Sequence, residues 1–220
     1  MTAVPRSKLR FWSPSLWQVK RIIKPLVFVT SLIPFVWLLL EAFGLVGSGL
    51  GANPIEVIQD WLGLWALRFL LITLSISPLH QLTGIVWLLQ LRRMLGLYAF
   101  FYASLHALNY LVLDKTFDFL AIIEDIIERQ FITLGAASIL LMIPLAVTST
   151  KGWRRRLGKR WQKLHYLIYP IAIMVCWHFF WQVKQDILEP LVYCLILSTL
   201  LGYRFCRIYQ QKYVTRDASA

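Results

Sequence analysis

Residues 91–113 read LRRMLGLYAFFYASLHALNYLVL: two arginines, then a long apolar run interrupted by His106 and Asn109. A bilayer-spanning helix needs about 20 mostly apolar residues, and 95–113 meets that length. Five further runs do the same, at 22–43, 62–79, 131–149, 164–183 and 187–208. The first is too long for a signal peptide, carries Pro34 and has no small-residue cleavage site after it, so it reads as a retained span. The whole composition agrees. Of 220 residues, 58% are hydrophobic and only 15% charged, where a soluble domain has about 25% charged. Disorder is excluded, because disordered chains lack apolar residues. The expected fold is all-α: an integral membrane six-helix bundle over 22–208, between basic tails at 1–21 and 209–220.

The net charge of +12 would suggest nucleic acid in a soluble protein. Sorted by connection, it reports topology instead. Arg6, Lys8, Arg10, Lys20, Arg21 and Lys24 precede the first span, and Arg92 and Arg93 precede the third. Lys151, Arg154, Arg155, Arg156, Lys159, Arg160 and Lys163 precede the fifth, and Arg204, Arg207, Lys212 and Arg216 end the chain. Nine of 11 acids lie in the other connections: Glu56, Asp60, Asp114, Asp118, Glu124, Asp125, Glu128, Asp186 and Glu189. The positive-inside rule puts both termini in the cytoplasm. The basic residues then face membrane lipid and the cytoplasm, and no nucleic-acid partner is expected.

Two outer connections carry structure of their own. Asn53-Pro54 is expected to start a short helical turn with Asn53 as N-cap. Residues 118–130 alternate acids with Phe119, Leu120, Ile122, Ile123, Ile126 and Ile127, the pattern of an amphipathic helix lying along the outer surface. Cys176, Cys194 and Cys206 are scattered in apolar runs and form neither a disulfide framework nor a zinc site. The sequence shows no internal repeat, P-loop or dinucleotide fingerprint.

Ionisable side chains inside spans are costly and mark functional positions. His106 and His178 lie on different spans, at nearly equal depth below the outer surface. Two imidazoles so placed suit axial ligation of a haem iron between helices. The competing reading is two unrelated histidines, each hydrogen-bonded to a neighbouring helix. His165 precedes His178 by 13 residues, about 20 Å along one helix, so it would serve an inner site. Its expected partner position on the third span is Arg93, not histidine. His80, at an inner helix end, reads as incidental. Arg68 lies at the depth of His106 and His178 with no acid in the spans at that level. A haem propionate would pair with it bidentately; the alternatives are snorkelling to the outer surface or pairing with a loop acid.

These segments together resemble the MsrQ (YedZ) family, within the ferric-reductase-like transmembrane group. The resemblance rests on LGANPIEVIQDWLGLWALRFLLITLSISPL at 50–79, LRRMLGLYAFFYASLHALNYL at 91–111, FITLG at 131–135 and TSTKGWRRRLGKRWQKLHYLIY at 148–169. It implies a b-type haem subunit of the bacterial inner membrane, with one or two haems at His106, His165 and His178, and FMN as a family cofactor. Electrons would come from the quinone pool or a cytoplasmic flavin reductase. They would pass to MsrP, a periplasmic molybdopterin enzyme that reduces methionine sulfoxide in proteins. Two departures, ERQF at 128–131 and Trp61, fall on the outer side where that partner would touch. The other function class consistent with intramembrane histidines is a haem-free small transporter or proton channel. It is disfavoured by the near absence of acids in the spans.

Overall fold

The computed structural model describes residues 14–183 and 186–217. Arg6, Lys8 and Arg10 of the charge pattern lie outside them. The described residues are helical, with no strand. Six helices are long and apolar enough to cross a membrane: α1 (Leu16–Ala42), α2 (Pro54–Thr83), α3 (Arg92–Asp114), α5 (Gln130–Val147), α7 (Lys159–Gln182) and α8 (Leu188–Asp217, apolar to Gln210). Between them lie α4 (Phe119–Glu128) on the acidic side and α6 (Lys151–Leu157) on the basic side.

Several helices outrun the apolar segments that announce them. The α2 helix begins at Pro54, eight residues before its apolar run, so the expected short turn is its first two turns. Glu56, Gln59 and Asp60 are thus helical, since a helix satisfies its own backbone wherever the bilayer ends. Asn53 occupies the N-cap position, but its side chain bonds Glu56 Oε2 (2.7 Å) instead of a backbone N–H. At the start of α1, Ser15 and Gln18 form a reciprocal capping box. A π-turn over Val19–Ile23 then precedes Pro25, which has no N–H to donate.

The core centres on α2, half of whose apolar window is buried, more than in any other span. Leu67, Leu70 and Leu74 are almost wholly buried there, against Tyr102 of α3 and Ile171 and Ala172 of α7. Neighbouring spans are also tied by polar contacts. Tyr98 and Tyr102 donate to the α1 carbonyls of Phe28 and Ser31, and Trp61 Nε1 donates to that of Pro34. Most large apolar side chains of α1 and α8 point outward, as lipid-facing surface requires.

The α4 helix is amphipathic as expected, but one acid faces inward. Asp118 caps it by accepting from the N–H groups of Leu120 and Ala121. Leu120 and Ile127 are exposed, while Asp125 is buried with Ile122. Burial works against the Asp125 charge. Hydrogen bonds from Lys115 and Tyr110 and the charge of Arg129 outweigh it, holding the carboxyl below its ordinary value of 3.8. A lowered carboxyl contributes stability fully present above its unfolded value and lost as pH falls through its folded value. Docking of α4 is therefore expected to weaken on acidification below about pH 4. Asp125→Asn should remove that acid limb and cost about 3 kcal/mol at neutral pH, by stranding Lys115. Hydrogen exchange of the α4 amides as a function of pH measures both.

Candidate haem site

His106 projects from α3 and His178 from α7, and the structure brings them together. Their ring centroids are 6.1 Å apart and the ring planes are perpendicular. Each ring is anchored from behind. His106 Nδ1 lies 2.9 Å from the carbonyl oxygen of Gln59 on α2, and His178 Nδ1 lies 2.6 Å from that of Phe131 on α5. A carbonyl acceptor requires Nδ1 to carry the proton, which fixes the tautomer and leaves Nε2 as the ligating atom. Each histidine bonds a neighbouring helix, and the two rings lie next to each other.

A glycine lies beside each ring. A Cβ on Gly63 would stand 2.9 Å from His106 Cε1 and Nδ1. One on Gly135 would stand 3.0 Å from His178 Cε1. Gly63 is one helical turn after Gln59, and Gly135 one turn after Phe131, so carbonyl and glycine share a helix face. A single offset of 72 residues relates Gln59, Gly63 and His106 to Phe131, Gly135 and His178. The site is therefore two half-sites of one design, α2 with α3 and α5 with α7. The sequence reading finds no repeat because so few positions carry it.

These residues fit a haem. Neither Nε2 is taken by a backbone carbonyl, and each ring has a glycine beside it where a side chain would otherwise crowd it. No group of three His, Cys, Asp or Glu is placed to hold a bare metal ion among the described residues. A porphyrin supplies the other four donors itself, so two histidines suffice. The amide of Gln59 lies 3.3 Å from His106 Nε2 and is held by Asn109 (2.7 Å), so it must turn aside for a ligand there.

His165 stands apart from this pair. Its ring stacks on Trp161 (3.9 Å, 27°), and its Nδ1 lies 3.1 Å from the Trp161 carbonyl. No second histidine faces it among the described residues. Arg93, at the position matching His165 in the outer pair, is exposed; the charge that acts on His165 is that of Arg92. His80 lies near the end of α2, with Nδ1 3.1 Å from the Ile85 carbonyl. Arg68 has protein partners, one of them a connection acid. It stacks over Trp65 (4.9 Å), donates to Tyr193 Oη (2.8 Å) and lies 4.0 Å from Glu189. Glu189 counted as a connection acid by sequence, yet α8 begins deep enough to reach back to Arg68.

Gln59, Gly63, Phe131 and Gly135 escaped the sequence reading. Two of them act through backbone atoms and two through the absence of a side chain, so residue chemistry does not flag them. The apolar motifs around both glycines were visible, but only as parts of spans.

A family model described as the ferric reductase like transmembrane component matches residues 62–176. The match spans both glycines and His106 and ends two residues before His178. The chain is 50% identical over 184 residues to a protein-methionine-sulfoxide reductase heme-binding subunit MsrQ of Xanthomonas oryzae pv. oryzae (strain MAFF 311018), covering 82% of this chain and 84% of that protein. It is 51% identical over 173 residues to the MsrQ of Xanthomonas campestris pv. campestris (strain 8004), covering 79% of each. The MsrQ of Azospira oryzae is 50% identical over 184 residues, 83% of this chain and 78% of that protein.

Proposed function

This chain belongs to the ferric reductase like transmembrane family, among its MsrQ members, and from that premise we propose that it is a haem b electron-transfer subunit. Its role is to carry electrons across the inner membrane to a periplasmic molybdopterin partner of the MsrP type, which reduces methionine sulfoxide in proteins. The donor is quinol or a cytoplasmic flavin reductase. The observation that carries this reading is the His106–His178 pair, anchored at both Nδ1 atoms and flanked by two glycines.

In this reading His106 and His178 hold the haem through their Nε2 atoms. Haem held there would supply a one-electron iron couple whose potential the residues around it would tune. The Gln59 and Phe131 carbonyls accept the Nδ1 protons and hold both rings against rotation. Arg68, on the same helix as Gln59 and Gly63 and held by Tyr193 and Trp65, contributes a positive charge. His165, stacked on Trp161 toward the basic side, belongs to an inner redox site facing the donor. Basic α6, with Arg156 over Trp153 and Arg154 over Trp161, is the surface where FMN or a reductase would land.

The test is the visible spectrum of the membrane protein purified from haem-replete cells. A Soret band with sharp α and β bands on dithionite reduction is expected, and a colourless protein would refute the reading. Arg68→Leu is expected to retain haem with a lower midpoint potential, since a nearby positive charge favours the reduced iron. An unchanged potential in a redox titration would assign Arg68 to anchoring α8 alone.

A further inference from the structure

One helical turn outward of the His106–His178 pair lies a second contact between helices. Asp60 Oδ1 of α2 accepts a hydrogen bond from Gln182 Nε2 of α7 (2.9 Å). Asp60 precedes Gly63 by three residues and Gln182 follows His178 by four, so each shares a helix face with its own half of the site. Asp60 also follows directly on Gln59, whose carbonyl holds His106. The contact therefore closes the outer edge of the site and joins the α2–α3 half to the α5–α7 half.

This carboxylate is placed differently from the other outer acids. Asp125 is fixed by Lys115 and Arg129, and Glu189 lies beside Arg68. Glu56, one turn further out on α2, accepts from Asn53. Asp60 has a neutral amide as its partner, and the charge acting on it is that of Glu56, another carboxylate. Among the described residues no cation forms an ion pair with it. The other ionisable groups around it are His106 on α3, His178 on α7 and, about two turns deeper on α2, Arg68, which is engaged with Tyr193 and Glu189 of α8. Asp60 is exposed at the outer face, so water can deliver and remove its proton.

Reduction of an iron held between His106 and His178 removes one positive charge from beneath this carboxylate. A carboxylate binds a proton more tightly when a nearby positive charge is lost. The influence passes through partly buried protein, where charges are screened less than in water. We propose that Asp60 is a redox-linked proton acceptor for the outer haem. It takes one proton from the outer water as the iron gains one electron, and returns it to the same side as the electron leaves. One proton accompanies one electron in each direction, and no proton crosses the membrane. Gln182 is the positioning residue, donating to the ionised carboxylate. The proposal rests on the haem reading above.

The experiment is a spectroelectrochemical titration of the full-length, haem-loaded protein in nanodiscs, following the reduced α band over about pH 5 to 9, the range that perturbed carboxylates reach. The midpoint potential is expected to fall as pH rises over part of that range, by at most about 59 mV per unit, the tenfold limit of a one-electron couple. Asp60→Asn keeps the shape of the side chain and is expected to abolish the slope, holding the midpoint at the wild type's acid-end value. Gln182→Leu removes the donor to the ionised form, so the sloping range moves to higher pH. Glu56→Gln removes the repelling charge, so the slope persists and its range moves to lower pH. A haem-loaded wild type whose midpoint ignores pH overturns the proposal and leaves the haem reading standing. So does a slope that survives Asp60→Asn, which gives the proton to the porphyrin carboxylates. If Asp60→Asn fails to hold haem, Gln182→Leu decides, and an unmoved slope there overturns the proposal. A colourless wild type overturns the haem reading and this proposal together.

Discussion

His106→Ala and His178→Ala are each expected to empty the outer haem site, with the reduced α and β bands of that haem falling to background. The size of the effect follows from the ligand geometry. The rings face each other at 6.1 Å, and each Nδ1 is already committed to a backbone carbonyl. Removing one ring therefore leaves a single histidine to hold the iron, and the nearest remaining polar side chain beside His106, the Gln59 amide, is a far weaker ligand. A ligand present at 1,000 times its Kd stabilises a fold by about 4 kcal/mol, so both variants should also melt at the temperature of the haem-free protein. His165→Ala is the internal control. Its ring lies on Trp161, away from the pair, so the outer haem and its spectrum should survive. Retention of a normal reduced spectrum in both His106→Ala and His178→Ala would refute the assignment.

Gly63→Ala and Gly135→Ala are expected to weaken haem binding at least tenfold without removing any ligand atom, an effect of the size seen for residues that position metal ligands. The added Cβ falls 2.9 Å from His106 on one side and 3.0 Å from His178 on the other. A flexible side chain would give way cheaply, but these rings cannot. Their Nδ1 bonds to Gln59 and Phe131 fix them, and the residue that would have to move is the ligand itself. In the haem-free protein alanine inside a helix is favoured over glycine by about 1 kcal/mol, which offsets part of the same clash, so these variants should still fold. Haem titration alongside melting of the haem-free form separates the two effects. Wild-type haem affinity in both variants would mean that the glycines do not set the ring positions.

The α2 helix shows how far the sequence alone reaches. Its apolar run from Leu62 to Leu79 identifies a span without ambiguity, yet the helix starts at Pro54. Hydropathy measures what lipid requires, while helix length depends on backbone hydrogen bonds that polar residues such as Gln59 make equally well. Those first two turns matter, because Gln59 is the residue whose carbonyl orients His106. Arg68 shows the complementary limit. Charge counting by connection makes it an orphan, whereas the packed α8 helix brings Tyr193 and Glu189 to it.

Six spans, their orientation and three intramembrane histidines follow from the sequence alone, because the bilayer allows few solutions. Apolar length sets the helices, and the sorting of 23 basic and 11 acidic residues sets the direction in which they run. Which histidines meet was decided only by tertiary packing. His106 and His178 converge because α2 with α3 and α5 with α7 repeat one arrangement of carbonyl, glycine and ring. In that arrangement the decisive groups are backbone oxygens and missing Cβ atoms. The same packing turned Arg93 outward, set Arg92 near Arg204, and left His165 on Trp161 without a second histidine. A residue's chemistry can be read from its letter, but its partner depends on which helix faces it, and that is a property of the whole bundle.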